Sequence, residues 1–280
     1  MTQSVIPFLK MHGAGNDFIV LDNRDNSLPA LESLNGAALA HRQTGIGFDQ
    51  LVWLEKSDQA DVFMRIVNAD GGEIGACGNA TRCIAQLLMN ETGKSDVTIR
   101  TRAGLLRGKR DGAGVLADMG IPQFEWAQIP LAKATDTLHL PLLRADLPSA
   151  VAVSMGNPHA VMFVERVEYR DLAGIGSELE HHPLFPERVN VSIATITGPE
   201  DITLRVWERG AGLTLACGTA ACATLVAAVR RELIPGRFAR IHLPGGILPV
   251  QWADDGHVWM GGPVAVAFTG QFRVEDYSHS

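Results

Sequence analysis

The chain has 280 residues, more than one typical domain, which favours two domains of similar size. Apolar residues make up 46% and charged residues 20%, as in soluble globular proteins. The net charge of −7 argues against nucleic acid or an anionic membrane as a partner, because binding to either requires a basic face. The longest apolar run, residues 220–229, is shorter than the roughly 18 residues of a membrane span, and residues 1–4 do not resemble a signal peptide. We therefore expect a cytoplasmic protein that does not enter a membrane.

Short apolar runs separated by Gly, Pro and Asp predict mostly β-structure. In chain order, strands are expected at residues 18–21, 50–54, 62–67, 97–101, 151–154, 160–164, 191–195, 202–206, 241–243 and 258–260. Segments 80–90 and 220–231 are apolar around most of their circumference and predict buried helices, and a weaker helix is predicted near residues 31–40. Many strands with two central helices favour an α+β fold over a doubly wound one.

The sequence also repeats itself at about half its length. A shift of 140 residues places residues 65–80 on residues 205–220 without a gap. The positions that are identical under this shift are Arg65/Arg205, Gly72/Gly212, Ala76/Ala216, Cys77/Cys217, Gly78/Gly218 and Ala80/Ala220. The same shift places Gln50 on Asn190, and a shift of 141 places Asn16 on Asn157. Chance similarity between two Ala- and Gly-rich helices would not match a cysteine and polar residues in register, so two facing copies of one domain are expected.

The positions of the four cysteines, 77, 83, 217 and 222, limit the roles that these residues can have. A cytosolic location argues against disulfides, and the Cys-x5-Cys and Cys-x4-Cys spacings without a nearby His do not match zinc sites, so no metal is expected. Cys77 and Cys217 each precede a predicted helix, whose first-turn N–H groups and dipole stabilise a thiolate and bind a carboxylate, so we expect a lowered thiol pKa there. Two such thiols could invert a stereocentre by removing a proton from one face and returning one to the other. Cys83 and Cys222 lie inside the helices, where packing is the expected role.

Five segments, in order, give the chain a specific resemblance to diaminopimelate epimerases. They are His12-Gly-Ala-Gly-Asn-Asp-Phe18, Gly45-Ile-Gly-Phe-Asp-Gln50, Ala76-Cys-Gly-Asn79, Gly156-Asn-Pro-His159, and Trp207-Glu-Arg-Gly210 with Ala216-Cys-Gly-Thr219. The resemblance implies two pseudo-symmetric halves, each a central helix wrapped by mostly antiparallel strands, with the active site in the cleft between them. It implies a homodimeric enzyme that interconverts LL- and meso-2,6-diaminopimelate, for lysine and peptidoglycan precursor synthesis, without pyridoxal phosphate or a metal.

The resemblance also implies a role for each matched residue. It assigns the acid/base pair to Cys77 and Cys217, and the modulation of their thiol pKa values to His159 and Glu208. Donors to the reacting carboxylate would be Gly78, Asn79, Gly218 and Thr219. The distal carboxylate would be held by Arg209 with Asn68 and Asn190, and Glu208 would meet an ammonium group. The remaining residues that would line the cleft are Asn16, Gln50 and Asn157.

The expected halves are residues 1–119, with a strand near 264–280 returning to them, and residues 120–263. Phe268 stands where an aromatic residue is often associated with the family's homodimer contact. Three other readings remain open: a proline or hydroxyproline racemase-like enzyme, a non-catalytic amino-acid binding protein on the same scaffold, and a thiol redox protein. The adjacent Glu208 and Arg209 argue against the first, because proline has no distal amino-acid end to bind. The retained cysteines argue against the second, and the absence of Cys-x-x-Cys against the third.

Overall fold

The computed structural model describes residues 5–13, 15–112, 114–141 and 144–277. The chain divides into two compact units, one of residues 1–117 with 262–280 and the other of residues 118–261. Both units are built mainly of β-strands around one long helix, which confirms the predicted α+β class. In the part of the chain that the structure describes, no helix is both long and apolar enough to cross a membrane.

The elements follow one another in a similar order in the two units. Those up to the unit boundary are β1 (Val5–Gly13), β2 (Asn16–Asp22), α1 (Gly36–Ala40), β3 (Gln50–Glu55), β4 (Val62–Asn68), β5 (Glu73–Ile74), α2 (Gly78–Thr92), β6 (Asp96–Thr101), β7 (Gly104–Asp111) and β8 (Gly114–Asp118). Those of the second unit are β9 (Val151–Ser154), β10 (Pro158–Phe163), α3 (Leu172–Leu179), β11 (Asn190–Gly198), β12 (Asp201–Glu208), β13 (Gly212–Thr214), α4 (Gly218–Arg230), β14 (Phe238–Leu243), β15 (Gly246–Trp252) and β16 (Val258–Met260). The chain then returns to the first unit with β17 (Ala265–Arg273) and a 3-10 turn at Val274–Tyr277.

Strand pairing repeats between the two units. In the first, β2 and β3 are parallel, β3 and β4 antiparallel, β4 and β6 parallel, and β6, β7 and β8 form an antiparallel run. In the second, β10 and β11 are parallel, β11 and β12 antiparallel, β12 and β14 parallel, and β14, β15 and β16 form an antiparallel run. β1 lies between β2 and β17 and pairs with both in antiparallel fashion. The repeat found in the sequence is therefore also a repeat of topology.

The long helices α2 and α4 are buried against the strands of their own units. On α2, Cys83, Ile84 and Leu88 pack with Phe18 and Ile66 from the surrounding strands. On α4, every residue from 220 to 228 is buried, which explains why its sequence is apolar on all sides. Removing one Leu or Ile side chain from water contributes about 1.5–3 kcal/mol, so these contacts hold the start of each helix in place.

Local sequence patterns predicted the buried elements and missed the short or exposed ones. All ten expected strands coincide with observed strands, and both expected buried helices are present, each beginning two residues earlier than expected, at Gly78 and Gly218. Residues 31–40 form a 3-10 turn at Leu31–Ser33 followed by the short α1 rather than one helix. The elements that the sequence did not predict are α3, β1, β5, β7, β8, β13 and β15. The expected returning segment near 264–280 contains β17, and its residues 278–280 lie outside the described residues, as does Ala14 of the first motif.

Candidate active site

Cys77 and Cys217 each occupy the N-cap position of a buried helix. Their backbone conformations are nearly the same, with φ −146° and ψ 116° at Cys77 and φ −132° and ψ 113° at Cys217. Each cysteine carbonyl accepts the first intrahelical bond, from Thr81 N at 2.8 Å and from Ala221 N at 3.1 Å. The earlier N–H groups of the first turn have no intrahelical partner, so each helix start offers donors and partial positive charge beside a sulfur atom.

The position after each cysteine is a glycine, and at Gly218 a side chain would have to displace the end of Met260. A Cβ atom there would lie 2.9 Å from Met260 Sδ, which is closer than real Cβ contacts. The bare backbone leaves the first amide of α4 accessible to a ligand carboxylate.

In the first unit, three of the predicted site residues meet at Cys77. Cys77 is half-buried, and its Sγ donates to Asn16 Oδ1 over 3.7 Å. Asn79, in the first turn of α2, donates through Nδ2 to the same oxygen over 3.4 Å. Asn16 begins β2, which pairs with β1, and β1 packs against α2, so the three side chains come together.

In the second unit, the equivalent positions form a similar cluster at Cys217. Cys217 is 6% exposed, and its Sγ lies 3.5 Å from Thr219 Oγ1. Asn157 donates through Nδ2 to Thr219 Oγ1 over 3.3 Å, and its Oδ1 lies 2.9 Å from His159 Nε2. The side chain of His159 is thus connected to Cys217 through two intermediate residues of the predicted site.

The environment of Cys217 contradicts the expectation of a lowered thiol pKa. Burial contributes most, and the nearby Glu208 carboxylate adds to it, so the pKa of the Cys217 thiol stands far above its usual range. The Thr219 hydroxyl and the Ala220 N–H act in the opposite direction but are outweighed. The helix start alone therefore does not make a thiolate at Cys217 when no ligand is bound.

The Glu208→Gln variant should speed alkylation of Cys217 near neutral pH by about tenfold, because the substitution removes a negative charge that disfavours the thiolate. Mass spectrometry of iodoacetamide-labelled peptides over time, at one pH and without substrate, measures the rate. Glu200→Gln is the matched control, since that carboxylate is exposed and its loss should leave the rate unchanged. An unchanged rate in Glu208→Gln would contradict the assigned charge effect.

His159 is a neutral imidazole in this environment. Complete burial, followed by the positive charge of Arg209, lowers the pKa of His159 to about 3. The neutral ring can donate from Nε2 to Asn157 Oδ1, while the buried Nδ1 has no hydrogen-bond partner among the described residues. His159 can therefore act on Cys217 through hydrogen bonds and not as a resident cation.

Gln50 and Asn68 lie directly opposite each other on β3 and β4. Gln50 donates through Nε2 to Asn68 Oδ1 over 2.9 Å. Its Oε1 is buried and accepts no hydrogen bond from the described residues. A buried acceptor without a donor is costly, so this oxygen is suited to a ligand that carries N–H groups.

Glu208 and Arg209 stand where β12 ends, so the alternation of a strand does not hold them to opposite faces. Arg209 N donates to Asn190 Oδ1 over 3.0 Å, and Asn190 Nδ2 donates to Pro158 O over 2.9 Å, which fixes the Asn190 amide at both ends. The Arg209 side chain reaches Glu187 O over 2.9 Å.

Several supporting residues were not predicted from the sequence. Glu180, next to the end of α3, accepts from Trp207 Nε1 over 2.7 Å and from Gly210 N over 2.9 Å, and so supports the turn after β12. Asp49 accepts from Asn16 Nδ2 over 2.9 Å, and Arg82 donates to Asn79 Oδ1 over 2.7 Å. Asp49 lies inside a motif already singled out, so its position was a signal that could have been used.

No three His, Cys, Asp or Glu side chains come together to hold a metal ion within the described ranges. The predicted site residues instead form two groups, one in each unit. The first comprises Asn16, Gln50, Asn68, Cys77, Gly78 and Asn79, and the second comprises Asn157, His159, Asn190, Glu208, Arg209, Cys217, Gly218 and Thr219. Each group combines a thiol, a helix start and several amide donors.

Comparison with known proteins identifies the family. The profile of the family described as Diaminopimelate epimerase matches residues 8–125 and 151–266. A protein named diaminopimelate epimerase from Rhodospirillum centenum is 55% identical over 267 residues, 94% of this chain and 91% of that protein. One of the same name from Acidiphilium cryptum is 54% identical over 266 residues, which are 95% of each chain.

A solved structure shares the fold. It is a hydroxyproline epimerase from Agrobacterium vitis with bound trans-4-hydroxy-L-proline, and it matches with a TM-score of 0.65 at 15% identity. The match covers 97% of this chain and 92% of that one. The chain therefore belongs to the diaminopimelate epimerase family.

Proposed function

We propose that this enzyme interconverts LL- and meso-2,6-diaminopimelate without a cofactor, using Cys77 and Cys217 as its acid and base. The observation that carries the proposal is the pair of cysteines at the N-caps of two repeat-related helices, with nearly the same backbone conformation. The names of relatives at 54–55% identity over nearly the whole chain support the substrate.

The reacting carboxylate is bound at the helix starts. The N–H groups that follow the two cysteines, together with the side chains of Asn79 and Thr219, supply hydrogen-bond donors to it. Binding of this carboxylate also helps the chemistry, because removal of the α-proton moves negative charge onto its oxygens. Donors already aimed at these oxygens stabilise that charge as it develops.

Proton transfer then uses the two thiols in opposite roles. The thiolate of one cysteine removes the α-proton, and the thiol of the other delivers a proton to the opposite face of the same carbon. After one turnover the first cysteine is protonated and the second is a thiolate. The reverse reaction or exchange with solvent restores the starting state, and which cysteine acts as base depends on the direction of reaction.

Through Glu208, substrate binding lowers the pKa of the Cys217 thiol. In the free enzyme the Glu208 carboxylate contributes to the raised pKa of the Cys217 thiol. A substrate ammonium group that pairs with Glu208 offsets this negative charge, and the thiol pKa then falls toward the operating pH. The neutral His159 supports the same cysteine through Asn157 and Thr219.

The distal end of the substrate is assigned to Arg209, Asn68 and Asn190. A guanidinium matches a carboxylate with two parallel hydrogen bonds, whereas the reacting carboxylate already has the helix starts. Asn16, Gln50 and Asn157 complete the binding surface, and the unpaired Gln50 Oε1 is suited to accept from an N–H group of the substrate.

Homodimer formation is part of the proposal. On β17, Val266 and Phe268 are about half exposed, and the Phe268 ring packs edge-on against Phe8 at 6.0 Å between centroids. Exposed apolar side chains on a strand are suited to a contact with a second copy of the chain.

Incubation of the purified enzyme with LL-diaminopimelate in deuterated water tests the function. We expect meso-diaminopimelate to form and deuterium to enter at the inverted α-carbon, since the proton that is returned has exchanged with solvent. Chiral chromatography with mass spectrometry follows both. Turnover of proline or hydroxyproline without turnover of diaminopimelate would favour the racemase-like alternative, and the absence of any exchange would favour a binding protein.

A further inference from the structure

We infer that Arg82 and Asp49 are positioning residues that fix the amide of Asn16 with its oxygen toward Cys77, and so favour the protonated form of this thiol before substrate binds. The inference deepens the proposed function and rests on it for the role of Cys77 in catalysis. The evidence is a hydrogen-bonded series of four side chains, in the order Arg82, Asn79, Asn16 and Asp49. The residues at its two ends allow the two amides between them only one orientation.

The first end is Arg82, which lies on α2 and is completely buried. Its Nη2 donates to Asn79 Oδ1 over 2.7 Å. A guanidinium carries donors and no acceptor, so the atom of Asn79 that faces it must be the oxygen. Nδ2 of Asn79 consequently points away from Arg82 and toward Asn16, whose oxygen lies 3.4 Å from it.

The second end is Asp49, which precedes β3. Its Oδ2 accepts from Asn16 Nδ2 over 2.9 Å and from Asp17 N over 3.1 Å. An ionised carboxylate accepts and does not donate, so Asn16 must turn its nitrogen toward Asp49. Both ends of the series therefore require Asn16 Oδ1 on the side of Asn79 and Cys77.

Asp49 is itself held by charged neighbours. Arg42 Nη2 lies 2.6 Å from Asp49 Oδ1 and 2.8 Å from Asp17 Oδ1, and Lys10 Nζ lies 2.7 Å from Asp17 Oδ2. These two cations balance the two carboxylates, so the cluster carries no net charge toward Cys77. Among the described residues, the ionisable groups linked to Cys77 through this network or along its own helix include Lys10, Asp17, Arg42, Asp49, Arg82 and Cys83.

The orientation of the Asn16 amide decides which form of Cys77 is favoured. An oxygen facing Sγ accepts from the thiol and would be repelled by a thiolate, whereas a nitrogen facing Sγ would donate to a thiolate. The 3.7 Å contact runs from the thiol to the oxygen. The series thus holds Cys77 ready to act as the proton donor.

Either end alone still requires the Asn16 oxygen on the side of Cys77, so the test combines Arg82→Met with Asp49→Leu. Arg82→Met alone removes a nearby cation, which disfavours the thiolate, so the pH midpoint of Cys77 alkylation should not fall. The double variant also releases the Asn16 amide, whose nitrogen can then turn toward the sulfur and lower the midpoint. For the double variant we expect a fall of about 0.5 to 1 pH unit, that is, about three- to tenfold faster labelling below the midpoint. Iodoacetamide labelling without substrate, assigned to Cys77 by tandem mass spectrometry, measures it.

Asp49→Leu alone is the control for charge, at a half-exposed position where Arg82 still fixes the Asn79 amide. Any fall of the midpoint in this single variant should disappear in about 1 M KCl, where charge effects at exposed sites are screened, whereas the fall in the double variant should persist. If the double variant does not fold, Asn16→Leu removes the oxygen that faces the sulfur and should lower the midpoint as well. Asp96→Asn, which removes the same charge from an exposed carboxylate on β6, should change nothing.

An unchanged or raised midpoint in the folded double variant, or in Asn16→Leu, overturns the inference. So does a fall in the double variant that disappears in high salt. Labelling requires no turnover, so these outcomes leave the proposed function in place. The proposed function fails only in the deuterium-exchange assay.

Discussion

Replacing either Cys77 or Cys217 by alanine should lower the rate of epimerisation by at least about 1,000-fold while the protein stays folded. General acid or base catalysis by one group contributes on the order of 10²–10⁴, and alanine can neither take nor give a proton. Both cysteines are N-caps without a side-chain capping bond, so their loss should affect stability little. Isomer ratios from LL-diaminopimelate, with circular dichroism as the check on folding, measure the effect.

The two remaining cysteines serve as matched controls. Cys83 and Cys222 are buried inside α2 and α4, and burial raises the pKa of the Cys83 thiol to about 12, so it does not ionise near neutral pH. Alanine at either position should reduce stability by about 1 kcal/mol and retain turnover. If Cys77→Ala or Cys217→Ala kept turnover like the wild type, the two-base mechanism would be wrong.

Arg209→Lys should reduce kcat/KM for diaminopimelate at least about tenfold, on the order of 1.4 kcal/mol in transition-state binding. Lysine keeps the charge but loses the fork that holds a carboxylate with two hydrogen bonds. The backbone N–H of residue 209 remains available to Asn190 Oδ1, so the Asn190 amide should keep its position. The variant therefore isolates the guanidinium. Steady-state kinetics with LL-diaminopimelate provide the measurement.

An arginine outside the predicted site controls for the general effect of this exchange. Arg240→Lys makes the same change on an exposed side chain of β14 that pairs with Asp201, and should leave kcat/KM unchanged. Proline should remain a poor substrate for both variants, because it has no distal carboxylate. Unchanged diaminopimelate kinetics in Arg209→Lys, or efficient turnover of proline by the wild type, would point to the racemase-like alternative.

Most of the helices and strands that carry the site residues could be predicted, because the sequence patterns that indicate them are local. An apolar run of helical length, preceded by Cys-Gly, appears twice in register, and both helices begin there. The strands that carry Gln50, Asn68 and Asn190 are apolar runs bounded by turn residues, and they form where expected. Periodicity suffices for elements that are buried along their length.

The supporting interactions were not predictable because they join residues far apart in the chain. Glu180 and Trp207 are 27 residues apart, and Asn16 and Asp49 are 33 apart. No local pattern indicates that these side chains meet. The raised pKa of Cys217 depends in the same way on burial and on Glu208, which only the folded chain brings to it. The helix start was visible in the sequence, but the groups that outweigh it were not.

The duplicated topology also bears on how the two copies have come to differ. The residues proposed to react are the same in both, Cys77-Gly78 and Cys217-Gly218, whereas Asn68 of one copy stands where the other has Glu208. In the proposed mechanism a stereocentre is approached from both sides, which requires the same proton carrier from each copy. The amino group and the distal arm of the proposed substrate have no such symmetry, so different residues are expected where they bind. The proposed mechanism therefore explains why the two copies agree at the cysteines and differ where the rest of the substrate is bound.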